Sequence, residues 1–403
     1  MADSQGINKS IAIKKETTWG TKASASDAYY LRRVSGSFQL EKDTYNSNEI
    51  LTSQQTRDMR HGTRRATGSL SGEIGGSSYG ELIAAAVRKD FANGATTGAI
   101  AVIEADESAG VSTFQRSTGS FVSDGFKAGD VISVSGFTDA ANNGLFVLVS
   151  VTATVLTVEH FDEDGALVTE AEGDTVTILV KGQKTYVPTT GHTDDSFTVE
   201  EYHSDSSISR TFLGMQVDTM GISIQPNSMA TIEFGFLGKN AEAPTSSQYF
   251  TTPDAQGNET IYSGPDGLLL INGVANRKVT SLSVNIANGI QQEGVIGSTA
   301  VGAKSRGKVA VTVSGSAIFD NDDMLGYFDA ESEISLTYAL RSADGTEAFA
   351  VHLPRVKIGS GTTDDGEKVI ILSFDGTALE YTAGGTGIVG TTIAIQDTTL
   401  PVA

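Results

Sequence analysis

No cysteine occurs among the 403 residues, which removes disulfides and thiolate metal ligands and fits assembly in a reducing cytoplasm. Proline is scarce, at 7 against 45 glycines, and tryptophan occurs once, as Trp19. No apolar run approaches the ~20 residues that a membrane-spanning helix needs, so no membrane partner is expected. The opening Met1-Ala2-Asp3-Ser4-Gln5 has no basic stretch followed by an apolar one, so no secretory leader is expected. Positive charge is also in deficit: 28 Lys and Arg against 49 Asp and Glu leave a net charge of −21. A surface of that balance repels phosphate and does not bind nucleic acid in general. Acidity of this kind most often serves solubility. It also suits a surface that DNA must pass without sticking.

Catalytic signatures are missing too. The five histidines, His61, His160, His192, His203 and His352, show neither the i, i+4 spacing nor the local pairing of a metal site. Asp320, Asp322 and Asp323 hint at a calcium loop, but the required Gly and terminal Glu are absent, so a helix N-cap is the better reading. There is no Gly-x-Ser-x-Gly elbow and no phosphate-binding Gly-Lys-Thr loop. The adjacent carboxylates Asp194-Asp195 are accounted for by turn chemistry. No catalytic, cofactor-binding or metal-binding residue is assigned, no cofactor is implied, and the chain is not expected to be an enzyme.

What the chain does contain is short apolar runs bounded by Gly, Asn and Asp, the pattern of an all-β protein with many turns. It also repeats itself. In Phe212–Gly238 the apolar positions Leu213, Met215 and Val217 slip by one residue to Met220, Ile222 and Ile224. In Phe349–Gly376 the positions Phe349, Val351 and Leu353 are followed by the same slip, to Val356 and Ile358. A one-residue slip exposes the apolar set unless a bulge absorbs it. Two copies of one β-unit are therefore expected, each ordered β, long loop, β, α, β, β, β. The long loops are Glu41–Thr63 and Asn288–Ser305. Ser71-Gly72 matches Ser314-Gly315. The first helix reads as capped by Ser78 with Glu81, and the second as opened by Asp320.

The expected fold class is all-β with short helices: two tandem β-sandwich domains plus a small barrel-like domain inserted in the first. Residues 1–28 read as an N-terminal arm anchored by Trp19. Residues 29–94 and 185–240 form the first domain. The insert, 95–184, has turns at Asn143-Gly144 and Asp164-Gly165 and is expected on the outside. A linker (241–274), the second domain (275–382) and a C-terminal arm or mobile tail (383–403) complete the chain. Arg57, Arg60, Arg64 and Arg65 cluster at the end of the first long loop, with Lys304, Arg306 and Lys308 at the matching place in the second. In so acidic a chain, these are expected to pair with acidic patches of a neighbouring subunit.

The segment Lys14-Lys15-Glu16-Thr17-Thr18-Trp19-Gly20-Thr21, the strands ending in Phe236-Leu237-Gly238-Lys239, and the insert's Gly-Asp, Ser-Gly-Phe and Asn-Asn-Gly pieces resemble major tail tube proteins of long-tailed, siphovirus-like bacteriophages. The resemblance covers most of the chain. It implies a structural subunit that stacks in rings into a hollow tube for double-stranded DNA during ejection, each domain lending a sheet to the tube wall. It implies that the long loops and their basic residues reach the adjoining ring, and that Asp218 and Glu233 are candidates to give the lumen its acidity. Because members typically carry one tube domain in hexameric rings, two domains per chain imply a ring of three chains, with six possible. Tape-measure, tail-terminator and tip proteins are the further partners implied. The place implied is the virion tail, after assembly in the bacterial cytoplasm. The alternative reading is a tail-tip or surface β-sandwich adhesin.

Overall fold

Period-two alternation decides where the strands lie. In Ile371–Ala378 the side chains of Leu372, Phe374 and Ala378 are buried while Ser373, Asp375 and Thr377 face out, as in a sheet covered on one side. The computed structural model describes residues 4–319, 323–364, 367–385 and 387–401.

The chain enters on β1 (Lys9–Lys15) and β2 (Tyr29–Tyr30), then runs through a long hairpin, β3 (Ser35–Asn46) and β4 (Met59–Glu73). Helix α1 (Gly80–Val87) and β5 (Ala92–Asn93) follow. An excursion comprises β6 (Thr96–Ile100), β7 (Ile103–Ser108), β8 (Val111–Arg116), the one-turn α2 (Phe121–Asp124) and β9 (Val131–Ser135). It ends with β10 (Gly144–Val151), β11 (Val155–His160) and β12 (Val176–Val180). The chain returns through β13 (Gln183–Tyr186), β14 (Phe197–His203), β15 (Ile208–Ile224), β16 (Thr231–Gly238) and β17 (Asn240–Ala241). Then come β18 (Gly267–Ile271), β19 (Val274–Ala275), β20 (Val279–Ala287), β21 (Ile290–Glu293), β22 (Ala303–Arg306) and β23 (Ala310–Ile318). Helix α3 (Asp323–Asp329), β24 (Glu333–Arg341), β25 (Ala348–Thr363), β26 (Ile371–Ala378) and β27 (Ala394–Asp397) close the sequence.

Two sets of strands follow one pairing scheme. Strand β4 joins β3 and β16, β16 joins β15, and β15 bends away to join β14, which joins β1 and through it β2. Likewise β23 joins β20 and β26, β26 joins β25, and β25 bends away to join β24, which joins β18 and through it β19. The sets meet where β15 pairs with β20, from Thr219 opposite Ala287 to Ile224 opposite Leu282. The order β3-β4-β16-β15-β20-β23-β26-β25 is a continuous half-barrel. Its covered face packs Phe38, Leu70, Met220, Val284, Val313 and Phe374 into one core.

The repeated slip is real, but its two instances are not the same bulge. Strand β15 takes up one extra residue between Phe212 and Met215, where Gly214 has φ +68°, and another at Asp218. Strand β25 does so between Leu353 and Val356, and again at Gly359. The pairings equate Val217 with Ile358. The slip after Val217 therefore corresponds to Gly359, and the slip after Leu353 corresponds to the Phe212–Met215 bulge. The offset arises because the turn from Leu340 to Phe349 is four residues longer than that from His203 to Ile208. In the same way Leu70, not Gly72, stands opposite Phe234 as Gly315 stands opposite Phe374.

Several local expectations change. The loop expected over Glu41–Thr63 is shorter, spanning residues 47–58, since β3 runs to Asn46 and β4 starts at Met59; Asn288–Ser305 holds the hairpin β21–β22. The 1–28 segment is no free arm: β1 has a strand on each side, with Ile11 and Ile13 buried. The 383–403 segment carries β27, buried between β13 and β25. Both are held by partners remote in sequence, which local pattern does not reveal. Ser78 donates to the Gly76 carbonyl instead of capping α1. The N-cap expected at Asp320 lies outside the described residues.

The insert is a separate seven-stranded sheet, β6-β12-β9-β10-β11-β8-β7, around Phe114, Phe121, Phe126 and Phe146. It ends at β12, because β13 belongs to the main sheet beside β5 and β27. Spliced into the first set, it packs on the second. Val131, Val147 and Phe161 meet Leu268, Leu270, Ala339 and Ala350. Lys184 holds the buried Asp130 at 2.8 Å, and Gln396 bonds the main chain of Val131 and Lys181.

His352 lies buried at this seam, its Nδ1 2.7 Å from Thr337 Oγ1 and its Nε2 unpartnered. Burial, aided by the Lys184 charge, pushes its pKa down to about 4. Between pH 6.5 and 4 the unfolded chain then binds the proton and the folded chain does not, so stability falls as pH falls through that window, by up to about 3 kcal/mol. Asp130, pushed up by burial, acts in the opposite sense. Thermal midpoints of His352→Gln and the parent should diverge across this window, the variant losing less on acidification. Parallel profiles would show that His352 does not carry the slope.

Candidate assembly interface

The half-barrel ends in two strands with one partner each. Among the described residues β3 pairs only with β4, and β25 from Ile358 onward pairs only with β26. A row of unpaired N–H and C=O groups is a template for another strand. Inside the chain the corresponding edges, β15 and β20, already satisfy each other.

The uncovered face of the half-barrel is small and polar. One row across it reads Ser71, Glu233, Gly221, Asn285, Thr312, Thr377, each opposite the next. Glu233 is exposed on this face, as is Asp375, which the sequence reading did not single out. Asp218 is placed differently. It sits in the bulge of β15, where its carbonyl accepts from Asn288 N–H at 2.7 Å and its carboxylate from Ile290 N–H at 2.8 Å. It anchors the β21–β22 hairpin. The two lumen candidates therefore part: Glu233 alternates with buried neighbours on β16, whereas a bulged residue such as Asp218 belongs to neither face.

Two arms rise from the same end of the sheet, the β3–β4 hairpin and β21–β22. Ile50 and Ile296 near their tips are fully exposed. The arms touch: Arg64 N–H donates to the Thr299 carbonyl at 3.0 Å, and Val301 N–H to the Arg64 carbonyl at 3.2 Å. The basic residues divide accordingly. Arg57, beside Glu49, and Arg60 are exposed on the first arm. Arg65 meets Glu41 and Asp43 of its own hairpin. Lys304 and Arg306 close on Asp194, at 2.6 and 3.0 Å, so these two are occupied within the chain and not held free for a neighbour. Burial alone would raise the Asp194 carboxyl, but hydrogen bonds from Lys304 and Gln216 and the Arg306 charge hold it below the usual range. Lys308 borders a hollow with Arg88 and His192. The Nε1 of Trp19 donates to the Gly214 carbonyl at 3.1 Å, and Lys239 and Lys304 lie over its ring.

One buried side chain ties these parts together. Asn288 donates to the carbonyls of Ala86 in α1 and Val217 in β15, and accepts from Arg88 Nε at 2.8 Å. Arg88 also donates to the carbonyls of Asn288 and Gly307. Arg88 ends α1 in the left-handed conformation, φ +63°, which aims its guanidinium at the arm. Burial lowers its pKa. These are all structural interactions. Among the described residues, no group of three His, Asp or Glu side chains is placed to hold a metal ion.

Residues 6–378 match the model of a family described as phage tail tube protein. The chain belongs to that family, and is accordingly a structural component of a virion tail that assembles into a tube. No match to it was found among curated proteins. Replacing Asn288 with Ala strips the partners from three buried groups and is expected to cost about 3 kcal/mol. Thermal unfolding of the soluble chain measures this, and a change under about 0.5 kcal/mol, typical of an uninvolved surface site, would refute the tie.

Proposed function

We propose that the chain carries two tube domains and that three chains close a ring, stacked rings forming the channel through which double-stranded DNA leaves the virion. The observation that carries this reading is the β15–β20 pairing. It joins the two sets of strands inside one chain, and each set presents the same pair of edges. If β25 meets β3 of a second copy as β15 meets β20, Ser360 stands opposite Glu41, Gly361 opposite Leu40, and Thr362 opposite Gln39. Each joint then repeats the last, and repetition through closed cyclic symmetry leaves no edge exposed. Three chains supply the six domains typical of the family's rings.

The uncovered face becomes the lumen wall in this arrangement. Its short Ser, Thr and Gly side chains offer little for DNA to grip, and Glu233 and Asp375 repel phosphate. The arms at one end of the sheet, with Arg57, Arg60 and the exposed Ile50 and Ile296, are placed to meet an adjoining ring. Tape-measure and terminator proteins complete the assembly as the resemblance implies.

The absence of native cysteine makes the joint directly testable. Facing residues of an antiparallel pair bring their Cα atoms to about 4.5–5.5 Å, within disulfide range. Oxidising assembled Gln39→Cys/Thr362→Cys protein should give covalent products that end at three chains, and neither single variant should cross-link. A ladder reaching six chains would sink the trimer, and no cross-link at all would sink the joint. For the lumen, Glu233→Lys/Asp375→Lys should assemble but eject DNA more slowly; ejection at the parental rate would remove this face from the channel.

A further inference from the structure

An open sheet edge on a freshly made chain invites pairing with any strand that passes. The outer edge of β3 is not bare, however. Phe38 N–H, which points away from β4, donates to Glu201 Oε1 at 3.2 Å. The carbonyl of Gly36, two residues earlier on the same edge, accepts from Lys9 Nζ at 2.7 Å. Lys9 and Glu201 also form an ion pair with each other, their side chains only 16% and 11% exposed. Lys9 comes from β1 and Glu201 from β14, so the layer behind the half-barrel supplies both groups.

Among the described residues the second set of strands has no such pair. Its registers put Gly267 where Lys9 stands, opposite Leu340 as Lys9 is opposite His203, and put Tyr338 where Glu201 stands. Val284 takes the place of Phe38 there, and its edge is covered by Ile222 of β15. The charged pair therefore occurs at the set whose edge is open and is missing from the set whose edge is closed within the chain. A fixed need of the fold would place it in both.

We propose that Lys9 and Glu201 form an edge guard, occupying the hydrogen-bonding groups of β3 that β25 of a second copy must take, and released only when the ring closes. This rests on the ring reading above. In the joint, Phe38 faces Thr363, and its N–H passes from the Glu201 carboxylate to a main-chain carbonyl of the neighbour. Breaking a hydrogen bond to a charged group before the strand can pair puts a barrier ahead of the first contact. The guard keeps free chains apart at low concentration without altering the finished joint, which is a main-chain pairing.

Two variants test it. Lys9→Glu/Glu201→Lys keeps both charges and their pairing but sets an ammonium, which cannot accept, against Phe38 N–H. Lys9→Met/Glu201→Met removes charge and acceptor at similar length. Purified chains that melt cooperatively are followed by light scattering as they assemble, alone and in the Gln39→Cys/Thr362→Cys background. The expected result is a lag before assembly shortened about tenfold or more in both variants, one broken charged hydrogen bond being of that order, with the same cross-linked product. An unchanged or longer lag with the cross-link intact would overturn the guard and leave the ring standing. Loss of the cross-link in the parent background would overturn the ring, and the guard with it.

Discussion

Six residue pairs between β15 and β20, from Thr219 with Ala287 to Ile224 with Leu282, are the constraint on which the rest of the molecule depends. They turn two four-stranded units into one sheet. Met220, Ile222, Val284 and Ile286 are buried at the junction, so the contact is a core and not a loose seam. Everything at the arm end refers back to it. Asp218 bulges out of β15 one residue before the junction and holds the base of β21, and Asn288 leaves β20 one residue after it and holds α1.

The bulges explain how a single strand serves two sheets. A regular strand of the length of β15 would stay in one layer with one face to the core. The extra residue between Phe212 and Met215 resets the alternation where the strand leaves β14, and the one at Asp218 resets it again where β16 takes over. Strand β25 has both resets at the corresponding pairings. Strong local twist is the physical consequence of such insertions, and a sheet that must curl needs it.

Charge is distributed by use rather than spread evenly. The overall excess of acid is large, yet the uncovered face of the half-barrel is mostly hydroxyl and amide, with isolated carboxylates such as Glu233 and Asp375. Other carboxylates have structural partners: Asp194 with Lys304 and Arg306, Asp130 with Lys184, Asp162 with Arg341 at 2.6 Å. The last two bind the insert to its neighbours, so part of the acidity serves domain docking and not solubility alone.

The sequence by itself determined the strand class, the insert and the existence of two slips, because burial on one face writes a period of two into the residues. It could not align the two slips, since a turn four residues longer after β24 shifts one set of strands against the other without changing the pattern. Nor could it show that β1 and β27 are buried strands, that Asp194 neutralises Lys304 and Arg306, or that Glu201 reaches Phe38. Each of those contacts joins residues far apart in the chain. Local periodicity records only which side of a strand is buried; which strand lies alongside, and which edge is left open, is decided when the sheets pack.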